Sequence, residues 1–270
     1  MNLRPKKSLG QNFLKDENSL EKIAKAGFLD SRDNVLEIGP GQGALTEKLL
    51  QKAGRVLAVE KDEELADFVE NKFEKEVKEG RLVVKKGDIL ELNLPQVLEE
   101  NNFGDYKLAA NIPYYITGKI LRLFLETEIS PKKMVFLVQK EVAERVCAKE
   151  GKKNLLAVIV SYFAEAEIAG IVKKEHFTPE PKVDSAILKI NPREKHLYGN
   201  EKEEKEFFRL VKIGFSAPRK TLANNLSGGL GLNKQEVGEK LEKAGIPIES
   251  RAQNLSVEDW QILCRIFKNK

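Results

Sequence analysis

The stretch Asn111-Ile112-Pro113-Tyr114 follows a short apolar run and sets two uncharged oxygens and an aromatic ring within four residues. Pro113 keeps Ile112 out of the helical region, which frees the Ile112 carbonyl to face a cleft beside the Asn111 amide oxygen. Two such acceptors suit an exocyclic purine amine, which offers two N–H donors and keeps its lone pair delocalised in the ring. They steer that nitrogen, and their dipoles oppose the positive charge that grows on it as it is alkylated. Asn111 is therefore a positioning acceptor and not a base, because the amine turns acidic once alkylated. Tyr114 supplies a face for base stacking, worth about 1–3 kcal/mol, which barely offsets the extraction of a paired base. The reading predicts an adenine in a loop, a mismatch or weakly paired RNA. The plainer alternative is that Tyr114 and Tyr115 only pack a sheet edge.

A second constellation lies upstream. In VLEIGPGQGALT a strand runs into Gly39, Pro40, Gly41, Gln42 and Gly43 and then into a helix. Glycines there let the chain turn sharply and let a ligand approach the backbone. Glu60, 21 residues after Gly39, ends the next strand as an acceptor for ribose hydroxyls, so a dinucleotide-binding NAD enzyme fits this far. Asp88, after the third strand, fits it less well: a carboxylate approaches a pyrophosphate at a cost but readily accepts from an adenine amino group. There is no GxxxxGK[ST] sequence for nucleotide phosphates. A nucleoside held by sugar and base matches the set, and S-adenosylmethionine is such a ligand. Asp88 as a simple turn cap is the bland alternative.

These groups need a scaffold that brings strand ends together. Continuous apolar strands alternate with helical patterns from Asn34 to about Cys147, which predicts a parallel sheet covered on both faces, an open α/β fold. Leu20, Ile23, Ala24 and Phe28 predict a helix before it, and LLAVIVSYFAEAEIAGIV and SAILKI read as further β-branched runs. Beyond Glu201 the apolar residues take helical spacing, and Ser256 with Asp259 forms a cap for the last helix. The expected division is 1–190 for the sheet domain and 191–270 for a small helical domain, with a linker near 190–200. Cys147 and Cys264 stand far apart without partners at metal-site spacing, so buried thiols are expected and neither a disulfide framework nor a metal site. No apolar run is long enough to span a bilayer and the start lacks a secretory signal, so a cytoplasmic protein with no membrane association is expected. Residues 1–189 balance 31 basic against 31 acidic side chains, whereas 190–270 hold 15 against 11, a weak pointer to a polyanion.

Taken together, KKSLGQNFLKD, VLEIGPGQGALT, VEKDEEL, GDIL, NIPYYI, VQKEVAERV, FTPEPKVDSAIL and RKTLANNL make the chain resemble the ribosomal small-subunit RNA adenine dimethyltransferase family nearly end to end. The resemblance implies a class I S-adenosylmethionine-dependent methyltransferase sheet domain, Rossmann-like, with a smaller C-terminal all-helical domain. It implies dimethylation at N6 of two adjacent adenines in a hairpin near the 3′ end of 16S ribosomal RNA, in small-subunit (30S) biogenesis. It assigns Asn12 and Leu14 to a segment closing over the cofactor, Gly39 and Gly41 to its backbone contacts, Glu60 to ribose, Asp88 to adenine, and Asn111 to the junction with the target. Arg219 and Lys220, with Arg4, Lys6 and Lys7, are the expected RNA contacts. Ala217 and Pro218 depart from a more basic run and lower the affinity expected of that segment. A monomer without metal is expected. Two rivals stay open: a large-subunit RNA adenine methyltransferase of the antibiotic-resistance type, and an assembly factor that keeps the fold without catalysis.

Overall fold

The computed structural model describes residues 5–6, 9–127, 129–148, 151, 153–193 and 201–268. The chain packs as two compact units, Met1–Ala143 with Ala164–Pro192, and Glu144–Phe163 with Arg193–Lys270.

In the first unit β1 (Phe13–Leu14) and α1 (Glu17–Ala26) precede the regular alternation: β2 (Asn34–Ile38), α2 (Ala44–Leu50), β3 (Arg55–Glu60), α3 (Glu63–Lys72), α4 (Glu74–Lys78), β4 (Leu82–Lys86), α5 (Leu94–Glu100), β5 (Lys107–Asn111), α6 (Thr117–Leu125) and β6 (Met134–Gln139). Helix α7 (Lys140–Val146) carries the chain across the division, and α8 (Leu155–Phe163) lies in the second unit. The chain then returns as β7 (Ala164–Val172), β8 (Phe177–Thr178) and β9 (Ser185–Pro192). Seven strands form one sheet in the order β4-β3-β2-β5-β6-β9-β7. Strands β2 to β6 pair in parallel, and β9 is antiparallel to both its neighbours. Val35, Leu36, Val56, Leu57, Ala110 and Phe136 are buried in the central strands, as expected of a sheet covered on both faces. A separate two-stranded ladder joins β1 to β8.

The order reverses between β2 and β5, whose successors run to opposite edges of the sheet, so their carboxyl ends flank the crevice where open α/β folds take ligands.

The second unit contains α8, α9 (Glu201–Gly214), α10 (Leu222–Leu230), α11 (Lys234–Lys243) and α12 (Val257–Lys268). Tyr162 of α8 stacks on Phe207 of α9 with ring centroids 4.8 Å apart and meets Phe208 edge-on at 4.9 Å. This contact explains why the single cut at residue 190 differs from the packing: residues 144–163 belong with the helices. It also corrects LLAVIVSYF, which is a helix and not a strand. Its β-branched run is apolar on every side because the helix is enclosed, and enclosure erases the periodicity that separates helix from strand. Phe28 lies beyond α1, 65% exposed at φ 47°, and is not part of its buried stripe. Ser256 and Asp259 exchange backbone bonds of 2.8 and 3.0 Å at the start of α12, the expected cap. Cys264 is buried, whereas Cys147 is half-buried, and no disulfide joins them. Residues 194–200 of the expected linker lie outside the described residues.

Candidate active site

The parallel strands β2, β3, β4 and β5 end at Ile38, Glu60, Lys86 and Asn111, and a cleft of about 630 Å³ opens along that edge. The ten catalytic and cofactor candidates read from the sequence all line it: Asn12, Leu14, Gly39, Gly41, Glu60, Asp88, Asn111, Ile112, Pro113 and Tyr114.

At the β2 end, Gly39 donates its N–H to the Val59 carbonyl at 2.9 Å and turns at φ 66°. A Cβ built on Gly39 would meet only the Asn111 carbonyl oxygen, at 3.8 Å, so it would project into the cleft. Gly41, at φ 58°, is constrained from above: a Cβ there would lie 3.0 Å from the Phe13 ring. Glu60 is buried, yet both carboxylate oxygens have partners. Oε2 accepts from the Gly41 N–H at 3.1 Å and Oε1 from the Asp62 N–H at 2.9 Å. Burial raises its pKa above the ordinary value, and these two N–H groups work in the opposite direction. Each oxygen still has a second lone pair to offer a hydroxyl.

Asp88 accepts from Lys61 Nζ at 2.8 Å and from the Leu90 N–H at 2.9 Å. Burial alone would raise its pKa; the Lys61 and Leu90 bonds outweigh it and hold the carboxyl below its usual range. The acceptor expected for an adenine edge is thus shared with a lysine that sequence reasoning did not single out. Behind both, Glu37 in the middle of β2 is 1% exposed, and neither carboxylate oxygen has a hydrogen-bond partner among the described residues. Burial pushes its carboxyl up to about 8; the neighbouring Thr46 hydroxyl works in the opposite direction, and the charge of Glu60 adds to the rise.

On the other side, β5 delivers Asn111 and the chain turns at Pro113 (φ −56°, ψ 134°) into a short 3₁₀ turn, Tyr114–Ile116. The Asn111 Nδ2 donates to the Asn12 carbonyl at 3.3 Å, while its Oδ1 accepts no hydrogen bond among the described residues. The Ile112 carbonyl accepts none among them either. Tyr114 is half-buried, with its hydroxyl 2.7 Å from Ser185 Oγ, and burial raises its pKa. Tyr115 is 65% exposed.

The N-terminal segment spans the cleft from wall to wall. Phe13 and Leu14 pair with Thr178 and Phe177, and the Lys15 N–H continues to the His176 carbonyl at 2.9 Å. On the acidic side Asp62 receives Lys6 Nζ at 2.8 Å and Gln11 Nε2 at 3.1 Å. On the other side a Cβ on Gly10 would come 3.2 Å from the Tyr115 ring and 3.4 Å from Pro113. Gln11, Phe13 and Asp62 are further residues that sequence reasoning missed. The Gln-Asn-Phe run carries no periodicity, and its partners lie far along the chain. Lys6, expected to contact RNA, is committed here to Asp62 and Glu64. Arg4 and Lys7 lie outside the described residues.

Arg219 and Lys220 belong to the second unit and stand exposed in the turn before α10. Their loop is shaped from within. Asn225 of the RKTLANNL run, itself buried, donates to the Gly214 carbonyl at 2.6 Å and to the Ala217 carbonyl at 3.1 Å. Thr221 caps α10 through the Asn224 N–H. No helix among the described residues is long and apolar enough to cross a membrane, and no cluster of three metal-ligating side chains occurs among them.

A protein-family model described as ribosomal RNA adenine dimethylase matches residues 2–269. A ribosomal RNA small subunit methyltransferase A of Dehalococcoides mccartyi is 42% identical over 98% of this chain and 89% of the relative. One from Fusobacterium nucleatum is 38% identical over the full length of both. Among solved structures, a dimethyladenosine transferase of Plasmodium falciparum superposes with a TM-score of 0.77 at 29% identity, covering 95% of this chain and 97% of that one. The 23S rRNA methyltransferase ErmE gives 0.74 at 26% identity, covering 95% and 100%. The sheet order with its antiparallel β9, the convergent strand ends and these matches agree: the fold is that of a class I S-adenosylmethionine-dependent methyltransferase with a smaller helical domain, and the chain belongs to the ribosomal RNA adenine dimethylase family.

Proposed function

We propose that this chain transfers methyl groups from S-adenosylmethionine to N6 of two adjacent adenines in a hairpin near the 3′ end of 16S ribosomal RNA. The product is N6,N6-dimethyladenosine, made in the cytoplasm by a monomer acting on 30S assembly intermediates. The observation that carries this reading is the state of Asn111: its amide nitrogen is taken by the Asn12 carbonyl, and neither its amide oxygen nor the Ile112 carbonyl accepts a hydrogen bond among the described residues.

The cleft fits the cofactor. Space that a Cβ on Gly39 would fill, a buried Glu60 with spare lone pairs and an apolar lining that includes Leu14 and Ile89 match a nucleoside with no phosphate to neutralise. Glu60 would hold the ribose hydroxyls, Asp88 the adenine amino group, and the backbone at Gly39 and Gly41 the passage between them. Asn12 and Leu14 would close the site from above. When bound, the cofactor supplies an electrophilic sulfonium methyl group.

The remaining work falls to the chain. The Asn111 oxygen and the Ile112 carbonyl accept the two N6 hydrogens, turn the nitrogen toward the methyl and oppose the charge that develops there. Tyr114 stacks on the base once it has left its helix. The segment Gly10–Leu14 screens the cleft from water. Arg219 and Lys220 contribute phosphate contacts, whose affinity falls with salt.

Labelled cofactor incubated with separate 30S and 50S particles, followed by mapping of the label, tests the proposal. Label in the adenine pair of 16S RNA is expected. Label confined to large-subunit RNA would replace the substrate with the one named for ErmE, and binding of 30S particles without transfer would make the chain a non-catalytic assembly factor.

A further inference from the structure

Two adjacent tyrosines leave the β5 turn, and only one of them is anchored. The Tyr114 hydroxyl lies 2.7 Å from Ser185 Oγ, and either atom can donate. Ser185 is wholly buried, at 0% exposure, as the first residue of β9, where the ladder places it opposite Gln139 of β6 and Val172 of β7. Tyr115 is 65% exposed, and its hydroxyl makes no hydrogen bond among the described residues. The anchored ring lines the cleft beside Asn111, and its anchor stands 71 positions away in the chain on a strand fixed from both sides.

A phenol bound at its tip cannot swing freely about its Cα–Cβ bond. A free ring would offer a stacking face only part of the time, and apparent affinity falls by the fraction of time in which the competent arrangement is present. Ser185 itself is not among the residues that line the cleft; it meets the ring at its hydroxyl tip.

We propose that Ser185 is a positioning residue for target recognition: its hydroxyl pins the Tyr114 ring in the attitude that receives the extruded adenine. This inference rests on the reading of Tyr114 as the stacking face, and the experiment separates the two. Small-subunit particles assembled with RNA carrying 2-aminopurine at the first target position report stacking by fluorescence quenching. Natural particles report KM and kcat.

Ser185→Ala and Tyr114→Phe, each in the full chain, are expected to weaken quenching and to raise KM for RNA about three- to tenfold, the loss of one net hydrogen bond. In Ser185→Ala, saturated kcat and affinity for S-adenosylhomocysteine should stay at the parent values. The double variant should be no worse than either single one, because both changes remove the same bond. Tyr114→Phe keeps the ring volume, which maintains the test even where a variant at the buried serine folds poorly. Parent-like quenching and KM in Tyr114→Phe, or effects that add in the double variant, would overturn the role given to Ser185. Tyr114→Ala serves as the separate arm. Loss of quenching in that variant, with none in Ser185→Ala, would reject the anchor and keep the stacking face. Unchanged quenching in Tyr114→Ala would reject the stacking face and the anchor with it.

Discussion

At the ends of β3 and β4 the cleft is lined by carboxylates, whereas the end of β5 offers only uncharged oxygens and a ring. Glu60, Asp62 and Asp88 each accept hydrogen bonds from backbone N–H groups, and Asp62 and Asp88 also receive ammonium groups from Lys6 and Lys61. That wall is preassembled from fixed charge. On the facing wall neither the Asn111 oxygen nor the Ile112 carbonyl accepts a hydrogen bond among the described residues. The contrast follows the chemistry each side must do. Ribose hydroxyls and an adenine amino group are the same before and after transfer, and in the proposed complex charged acceptors would hold them throughout. The target nitrogen is neutral at the start and positive only as the methyl arrives, so dipoles placed in advance favour the later state without demanding that a bare carboxylate be desolvated beside a neutral base.

Breaking the neutral wall should cost the most. Asn111→Ala is expected to slow single-turnover methyl transfer by about 100-fold or more, the loss seen when one preorganised partner of developing charge is removed. Binding of S-adenosylhomocysteine, followed by calorimetry, should change little. Glu60→Ala should do the reverse. The Kd for the same ligand should rise by about 10- to 100-fold, the equivalent of a lost hydrogen bond to a charged group, while transfer at saturating cofactor survives.

Glu37 sharpens the comparison from below, since β2 pairs it with Ala58 of the acidic side and Ala109 of the neutral side. Its carboxyl is raised from 4.5 to about 8, so the folded chain holds a proton there that the unfolded chain releases. Stability measured by denaturant unfolding should therefore fall as pH rises through that window and level off above it, and Glu37→Gln should flatten the slope. The smallest effect is expected at Lys61, more than half exposed. Asp88 is depressed, so its favourable ionised form is present above the ordinary carboxylate range and lost as pH falls through its lower folded value. Lys61→Met should move the acid limit of cofactor binding upward, toward that ordinary range.

The strand ends were legible from the sequence because local pattern dictates them: apolar runs stop at glycine, glutamate, aspartate or asparagine, and a parallel sheet then aligns the stops. What joins the walls was not legible. Phe13 over Gly41, Gln11 and Lys6 on Asp62, and Ser185 on the Tyr114 hydroxyl are pairings between distant positions, created only when the chain closes. Helix α8 was misread for a related reason. Val158, Ile159 and Val160 have strand propensity, but aromatic packing of Tyr162 against α9 outweighs the modest preference of β-branched residues. The family resemblance pointed to Asn12, whose side chain donates to the Gly10 carbonyl while its backbone carbonyl accepts from Asn111 Nδ2, a role to which side-chain identity gives no clue.

The most direct measurement is a structure of the full chain with S-adenosylhomocysteine and the target RNA hairpin bound. The target N6 should lie within hydrogen-bond distance of both Asn111 Oδ1 and the Ile112 carbonyl oxygen, with its remaining face toward the sulfur. An N6 directed away from both oxygens, or contacted instead by Glu60 or Asp88, would contradict the division of labour between the two walls.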